Sequence, residues 1–292
     1  MIEAAVPQDV AIAVAPNGAR RGKADHARLP ITPAELAECA ADSLEAGASM
    51  LHLHVRDADG RHSLEADRYR AAIDAIRDRV GDRLLLQVTT EAGGRYGPAE
   101  QMAHARALAP EALSLAVREL WRDEALADEA AAFLAELHER GALVQYIVYD
   151  AADLARFMQL HAEGRVPQRT PHVLFVLGSY AEQRAGRPGE LPPLAAALPA
   201  GWPWSVCAFG PAELRCVVTA ALLGGHARVG FENNLRRESG APADDNPALV
   251  AACRRALAAL GLHPANVEAT RNLFLDRRLD ADTCPPSRGE LR

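Results

Sequence analysis

The stretch from Thr32-Pro33-Ala34-Glu35 through Glu45-Ala46-Gly47-Ala48 to Met50-Leu51-His52-Leu53-His54-Val55-Arg56-Asp57 contains one complete helix-to-strand unit. Thr32 can cap a helix, Pro33 suits the first helical position, Glu35 completes a T-x-x-E capping box and Gly47 ends the helix over 33–46. The run from Met50 to Val55 then predicts a short strand.

The same rhythm extends in both directions along the chain. Strands are predicted at Val10 to Ala15, Met50 to Val55, Leu84 to Thr89, Ala112 to Val117, Leu143 to Val148, His172 to Leu177, Trp204 to Ala208 and Ala227 to Phe231. Helices are predicted near 33–46, 66–79, 98–109, 124–140, 151–163, 190–198, 211–223 and 246–261. Gly97-Pro98 and Gly210-Pro211 mark two of the helix starts. Short strands alternating with longer helices mean a parallel sheet built from βαβ units.

Eight such units in 292 residues average about 36 residues each, which suits a single closed (β/α)8 TIM barrel. An open doubly wound sheet is the competing architecture, but no G-x-G-x-x-G follows the first strand. The barrel is expected to occupy residues 1–275 as one catalytic domain. Residues 276–292 form a polar tail carrying Pro285-Pro286, expected to be extended or poorly ordered.

With 32 basic and 39 acidic side chains the net charge is −7, and no basic stripe stands out, which argues against a nucleic-acid partner. At 49% apolar the chain can bury a large core. No apolar run approaches the roughly 20 residues that span a bilayer, so no membrane partner is expected. The N-terminus lacks the features of a secretory signal. Cys39, Cys207, Cys216, Cys253 and Cys284 are odd in number and never form a C-x-x-C pair, so a reducing cytoplasm is the expected location.

Residues two apart on a strand share a face, so His52 and His54 point together while Leu51, Leu53 and Val55 face the other way. In a barrel the imidazoles would project inward at the C-terminal end of the second strand, where barrels place their active sites. Two imidazoles and a carboxylate form a His₂Glu metal set with an open position; the alternative is a histidine pair that only hydrogen-bonds within the barrel. Strand eight neighbours strand one, which neighbours strand two, so Glu232 can reach the pair as a third ligand. The alternative for Glu232 is a solvated turn residue. Asn17, Thr89, Glu91, Arg118 and Glu119 also fall at strand ends, on the rim where a barrel collects its site.

Several blocks together resemble the β-keto acid cleavage enzyme family, whose type activity is 3-keto-5-aminohexanoate cleavage. They are Leu29-Pro30-Ile31-Thr32-Pro33-Ala34-Glu35, Glu45-Ala46-Gly47-Ala48, the block from His52 to Gly60, Phe175-Val176-Leu177-Gly178, and the block from Gly224 to Asn234. The resemblance covers roughly residues 10–265, in order. It implies a (β/α)8 barrel, a divalent metal that is generally zinc, a homo-oligomer, and conversion of a β-keto acid and acetyl-CoA into acetoacetate and a new acyl-CoA. It also implies His52, His54 and Glu232 as metal ligands, Arg228 beside the reacting carboxylate, and a Thr89 hydroxyl near the substrate.

Two departures matter. Relatives often read Glu-Asp-Asn where this chain reads Glu232-Asn233-Asn234, and the Asp is the expected general base; an amide cannot take that role. Glu119, or secondly Glu91, is the expected substitute. In the loop after strand one, members acting on the amino substrate carry a carboxylate where this chain has Arg20. A guanidinium there disfavours a distal ammonium and suits a distal carboxylate or polar neutral group, so Arg20, Asn17, Thr89 and Glu91 are the substrate-binding candidates. The CoA site is not legible. The competing functions are a metal-dependent aldolase or hydrolase, or a metal-binding barrel that has lost catalysis.

Overall fold

The computed structural model describes residues 9–180 and 182–275; the expected polar tail lies outside the described residues. Eight parallel strands close on themselves. They are β1 (Ile12–Val14), β2 (Met50–Leu53), β3 (Leu85–Thr89), β4 (Ala112–Ala116), β5 (Leu143–Val148), β6 (His172–Ser179), β7 (Trp204–Ala208) and β8 (His226–Val229). Each pairs with its sequence neighbours, and β8 returns to β1 through Ile12 opposite Ala227. The barrel read from the sequence is the fold.

The main helices are α1 (Pro33–Ala46), α2 (Ala66–Val80), α3 (Pro98–Leu108), α4 (Ala127–Glu139), α5 (Ala151–Ala162), α6 (Leu191–Ala196), α7 (Glu213–Leu222) and α8 (Asn246–Ala259), followed by the short α9 (Val267–Asn272). The capping box of α1 forms as expected: Thr32 Oγ1 accepts from Glu35 N, Glu35 accepts from Thr32 N, and Gly47 ends the helix in a left-handed conformation at φ 116°.

Alternate strand residues serve two different cores. Leu51, Leu53, Leu86, Val88, Leu113, Leu115, Val144, Tyr146 and Phe175 face out and pack into the main cluster with the helices. Met50, Leu85, Ala112 and Leu143 face in near the N-terminal mouth, where Leu273 and Phe274 after α9 seal the barrel. Two residues further along the same strands, the inward positions turn polar at His52, Gln87, Ser114 and Gln145, all buried. A barrel interior is layered side chains rather than a pore, so the sealed lower end leaves the C-terminal rim as the open one.

Several boundaries differ from expectation. The second strand stops at Leu53, and Val55–Arg56 pairs instead with His62–Ser63 in an antiparallel hairpin. Val117 does not extend β4; it opens a one-turn helix, Val117–Leu120, that carries Arg118 and Glu119. β6 runs on to Ser179 and pairs with Arg184–Ala185. Pro211 lies in a turn, and α7 starts at Glu213. Phe231 is not in strand eight, because Gly230 at φ +135° turns the chain where a side chain would meet Ala15 O at 2.4 Å. Segment 124–126 is a 3-10 turn preceding α4.

Candidate metal centre and substrate cavity

β2 and the turn after β8 bring three donor atoms together. His52 Nε2 and His54 Nε2 are 3.0 Å apart, and Glu232 Oε2 lies 3.6 Å from the first and 3.4 Å from the second. Three atoms each about 2.1 Å from one tetrahedral ion stand about 3.4 Å apart, and the observed separations bracket that value. All three residues are buried, and Glu232 Oε2 has no hydrogen-bond partner. A buried carboxylate oxygen that has no hydrogen-bond partner and faces two imidazole nitrogens fits a cation, so these residues could hold a divalent metal.

The electrostatics agree. Burial, helped by the Arg228 guanidinium, holds His52 down to about 3, so its imidazole is neutral as a ligand must be. For Glu232 burial acts upward, but Arg228 and the two histidines outweigh it and keep the carboxyl well below its usual range. Arg228 Nη2 donates to Glu232 Oε1 at 2.5 Å and to Asn233 Oδ1 at 3.1 Å. Its Nε and Nη1 are buried with no hydrogen-bond partner.

The loop carrying Glu232 is clamped from several elements. Glu213 at the start of α7 accepts from Gly230 N at 3.1 Å and Asn234 Nδ2 at 3.2 Å. Asn246 Oδ1 accepts from Phe231 N at 2.8 Å, Arg21 Nη1 donates to Phe231 O at 2.5 Å, and Tyr180 donates its hydroxyl to Glu232 O. Arg56, buried beside β2, donates to the carbonyls of Asn17, Gly18 and Arg21 and so fixes the loop after β1.

Beside the donor set lies a cavity of about 250 Å³ whose walls include Arg20, His52, Thr89, Glu91, Glu119 and Arg228. Glu232, Asn233, Tyr149, Tyr180 and Phe209 also line it. Nine of the eleven residues singled out from the sequence, Arg118 among them, therefore share one cavity. His54 stands behind, as the third member of the donor set. Asn17 is not on the wall; it is buried, and its Nδ2 donates to His54 O at 3.1 Å.

Glu91 Oε2 is 3.9 Å from His54 Nε2. Glu119 Oε2 accepts from Ala92 N and Gln101 Nε2, each at 2.9 Å. Burial raises both carboxyls, and the charge of each neighbouring acid adds to the effect. Thr89 Oγ1 accepts from Glu91 N at 3.0 Å, the turn-capping role for a threonine at a strand end. Arg20 is exposed and lies 5.9 Å from the Tyr180 ring centroid.

Sequence reasoning missed Gln87, Gln145, Tyr180, Arg56 and Glu213. Gln87 and Gln145 did carry a signal: each is a lone polar residue inside an otherwise apolar strand, in register with the inward face. The others act from outside the strand ends, which no periodicity marks.

The sequence model of the beta-keto acid cleavage enzyme family matches residues 9–275. A 3-keto-5-aminohexanoate cleavage enzyme of Fusobacterium nucleatum is 30% identical over 263 residues, 88% of this chain and 94% of the relative. A 3-oxoadipate:acetyl-CoA acetyltransferase of Cupriavidus necator is 27% identical over 277 residues, 91% of this chain and 95% of the relative. Among solved structures, ObcA in complex with oxaloacetate superposes with a TM-score of 0.65 at 19% identity over 85% of this chain and 67% of its own, a likeness of fold. The chain belongs to the β-keto acid cleavage enzyme family.

Proposed function

We propose that this protein is a metal-dependent acyltransferase that exchanges acyl groups between a β-keto acid and acetyl-CoA, giving acetoacetate and a new acyl-CoA. The observation that carries this reading is the triangle of His52 Nε2, His54 Nε2 and Glu232 Oε2 at the wall of the rim cavity, with edges of 3.0, 3.4 and 3.6 Å. A divalent cation held there, zinc by its nitrogen and oxygen donors, would supply Lewis-acid polarisation of the β-keto carbonyl.

The chain's own residues do the rest. A free donor of Arg228, whose Nε and Nη1 have no hydrogen-bond partner, holds one oxygen of the substrate carboxylate, and its Nη2 stays on Glu232 and Asn233. Asn233 turns its carbonyl oxygen to Arg228, so it orients that guanidinium and takes no proton. Proton removal from the carbon between carbonyl and carboxylate falls to the neighbouring carboxylates Glu91 and Glu119, whose raised affinity for protons suits a base working near neutrality. Glu91 is the nearer to the histidines, and Glu119 is braced by Ala92 and Gln101.

The resulting carbanion attacks the acetyl thioester and expels the CoA thiolate. The thiolate then adds to the original β-carbonyl, and cleavage of the adjoining carbon-carbon bond leaves the remaining acyl group on sulfur and frees the acetoacetate carbanion, which takes back the proton held by the carboxylate base. Arg20 on the cavity wall, with no ion-pair partner among the described residues, selects a substrate whose far end is a carboxylate rather than an ammonium. The 3-oxoadipate named for the Cupriavidus relative has such an end; 3-keto-5-aminohexanoate does not.

A cytoplasmic homo-oligomer completes the reading. The four described cysteines are all free, as suits a reducing compartment, and no described helix is long and apolar enough to cross a membrane. Mass-spectrometric screening of β-keto acids with acetyl-CoA and zinc tests the activity, and light scattering tests the assembly.

A further inference from the structure

The inward layer beneath the donor set contains an arrangement that the proposed chemistry does not use directly. Gln87 of β3 and Gln145 of β5 are buried, with 0% and 3% exposure. His52 Nδ1 lies 2.8 Å from Gln87 Oε1, and Gln87 Nε2 donates to Gln145 Oε1 at 3.2 Å. Parallel pairing sets His52 beside Gln87 in the sheet, and the two glutamines come from alternate strands, as members of one barrel layer do.

An amide has one accepting end and one donating end. With Gln87 Nε2 committed to Gln145, its oxygen faces His52, so Nδ1 must carry the imidazole proton and Nε2 is left with a bare lone pair. That bare Nε2 is the atom aimed at His54 and Glu232. In the reverse orientation Gln87 would offer an N–H to Nδ1, the proton would sit on Nε2, and the ligand position would be blocked.

We propose that Gln87 and Gln145 are positioning residues: a buried amide pair that locks His52 into its Nδ1–H tautomer and so keeps Nε2 open for the metal. The proposal rests on the metal-dependent reading of the site, but it concerns how this chain builds that ligand. A partner to the second nitrogen of a ligating histidine fixes ring orientation and basicity, and its loss typically costs ten- to a hundredfold in metal affinity. Gln145 contributes indirectly, by denying Gln87 the freedom to turn over.

The test compares wild-type protein with Gln87→Met, Gln87→Glu and Gln145→Met. Zinc affinity is read by competition with a chromophoric chelator, and the His52 tautomer by imidazole ¹⁵N shifts in metal-free protein. Gln87→Met should weaken zinc by roughly ten- to a hundredfold and abolish the Nδ1–H bias. Gln87→Glu should keep the Nδ1–H bias, because a carboxylate accepts from Nδ1–H whichever way it turns. Gln145→Met should show a smaller loss of the same kind.

A merely structural role would lower the melting temperature of all three variants without moving the tautomer. Wild-type His52 in the Nε2–H form, or a Gln87→Met protein with wild-type zinc affinity, would overturn the inference. If wild-type protein itself bound no zinc, the metal reading would fail, and the tautomer measurement would still decide the role of the amide pair.

Discussion

Gly18 lies against the side chain of Glu232 so closely that a methyl group on it would stand 2.4 Å from Glu232 Cγ. Gly18 also has φ +61°, a left-handed conformation that glycine adopts without strain. The loop after β1 and the turn after β8 are therefore fitted to each other across the donor set. Gly18→Ala should cost about 1–3 kcal/mol and push Glu232 away from the histidines. The expected result is a lower melting temperature together with a reduced metal content by elemental analysis. Wild-type metal content in that variant would mean that Gly18 does not set the position of Glu232.

In the proposed function Arg20 sets the charge preference at the far end of the cavity it lines. Arg20→Glu should raise KM for a β-keto dicarboxylate at least tenfold, a difference of about 1.4 kcal/mol, and improve turnover of an amino-substituted β-keto acid. The reverse charge attracts the ammonium that Arg20 repels. Unchanged preference between the two substrates would show that Arg20 points away from the substrate.

The two carboxylates on the cavity wall can be separated by isosteric change. Glu91→Gln should lower kcat by about 10²–10⁴-fold, the usual contribution of a general base, while leaving the fold intact. Glu119→Gln should lower it less, because its carboxylate already holds Ala92 N and Gln101 Nε2. Exchange of the substrate α-proton in deuterated buffer, without acetyl-CoA, isolates this step. Full exchange in the Glu91 variant and none in the Glu119 variant would reverse the two roles.

Glu213 is expected to make the stability of the protein depend on pH. Burial pushes its carboxyl up to about 8, although the donors Asn234 and Gly230 N act in the opposite direction. In the unfolded chain the proton leaves near 4.5. Between these values the folded protein keeps a proton that the unfolded chain has lost, so this contribution is full below pH 4.5 and fades as pH rises towards 8. Glu213→Gln resembles the protonated acid and cannot ionise. Its melting temperature relative to wild type should therefore climb from about pH 5 to about pH 8; a constant difference would show that Glu213 titrates normally.

The parts of the site that a local pattern encodes were legible in the sequence. The capping box at Thr32 and Glu35 and the apolar alternation around His52 and His54 both follow from contacts within a few residues, and they fixed the barrel and the histidine pair. The order of strands then placed Glu232 against that pair. What was not legible depends on contacts between distant segments. Phe231 reads as a strand residue, but Gly230 turns the chain because Ala15 approaches it. Val117 continues an apolar run, yet it begins a one-turn helix whose Arg118 pairs with Asp150 and Asp153 beyond β5. Asn17 falls at a strand end like the other candidates, but its amide is taken up by His54 O, so it supports the site from outside the cavity.

The most direct measurement incubates zinc-loaded protein with a β-keto dicarboxylate and acetyl-CoA labelled with ¹³C in the acetyl group, and reads the products by mass spectrometry. The expected result is acetoacetate carrying the label in its methyl and ketone carbons, with the unlabelled remainder of the substrate on CoA, and loss of both products in Glu232→Gln. Cleavage of the keto acid that proceeds without acetyl-CoA, or acetoacetate free of label, would contradict acyl exchange at the His52, His54 and Glu232 centre.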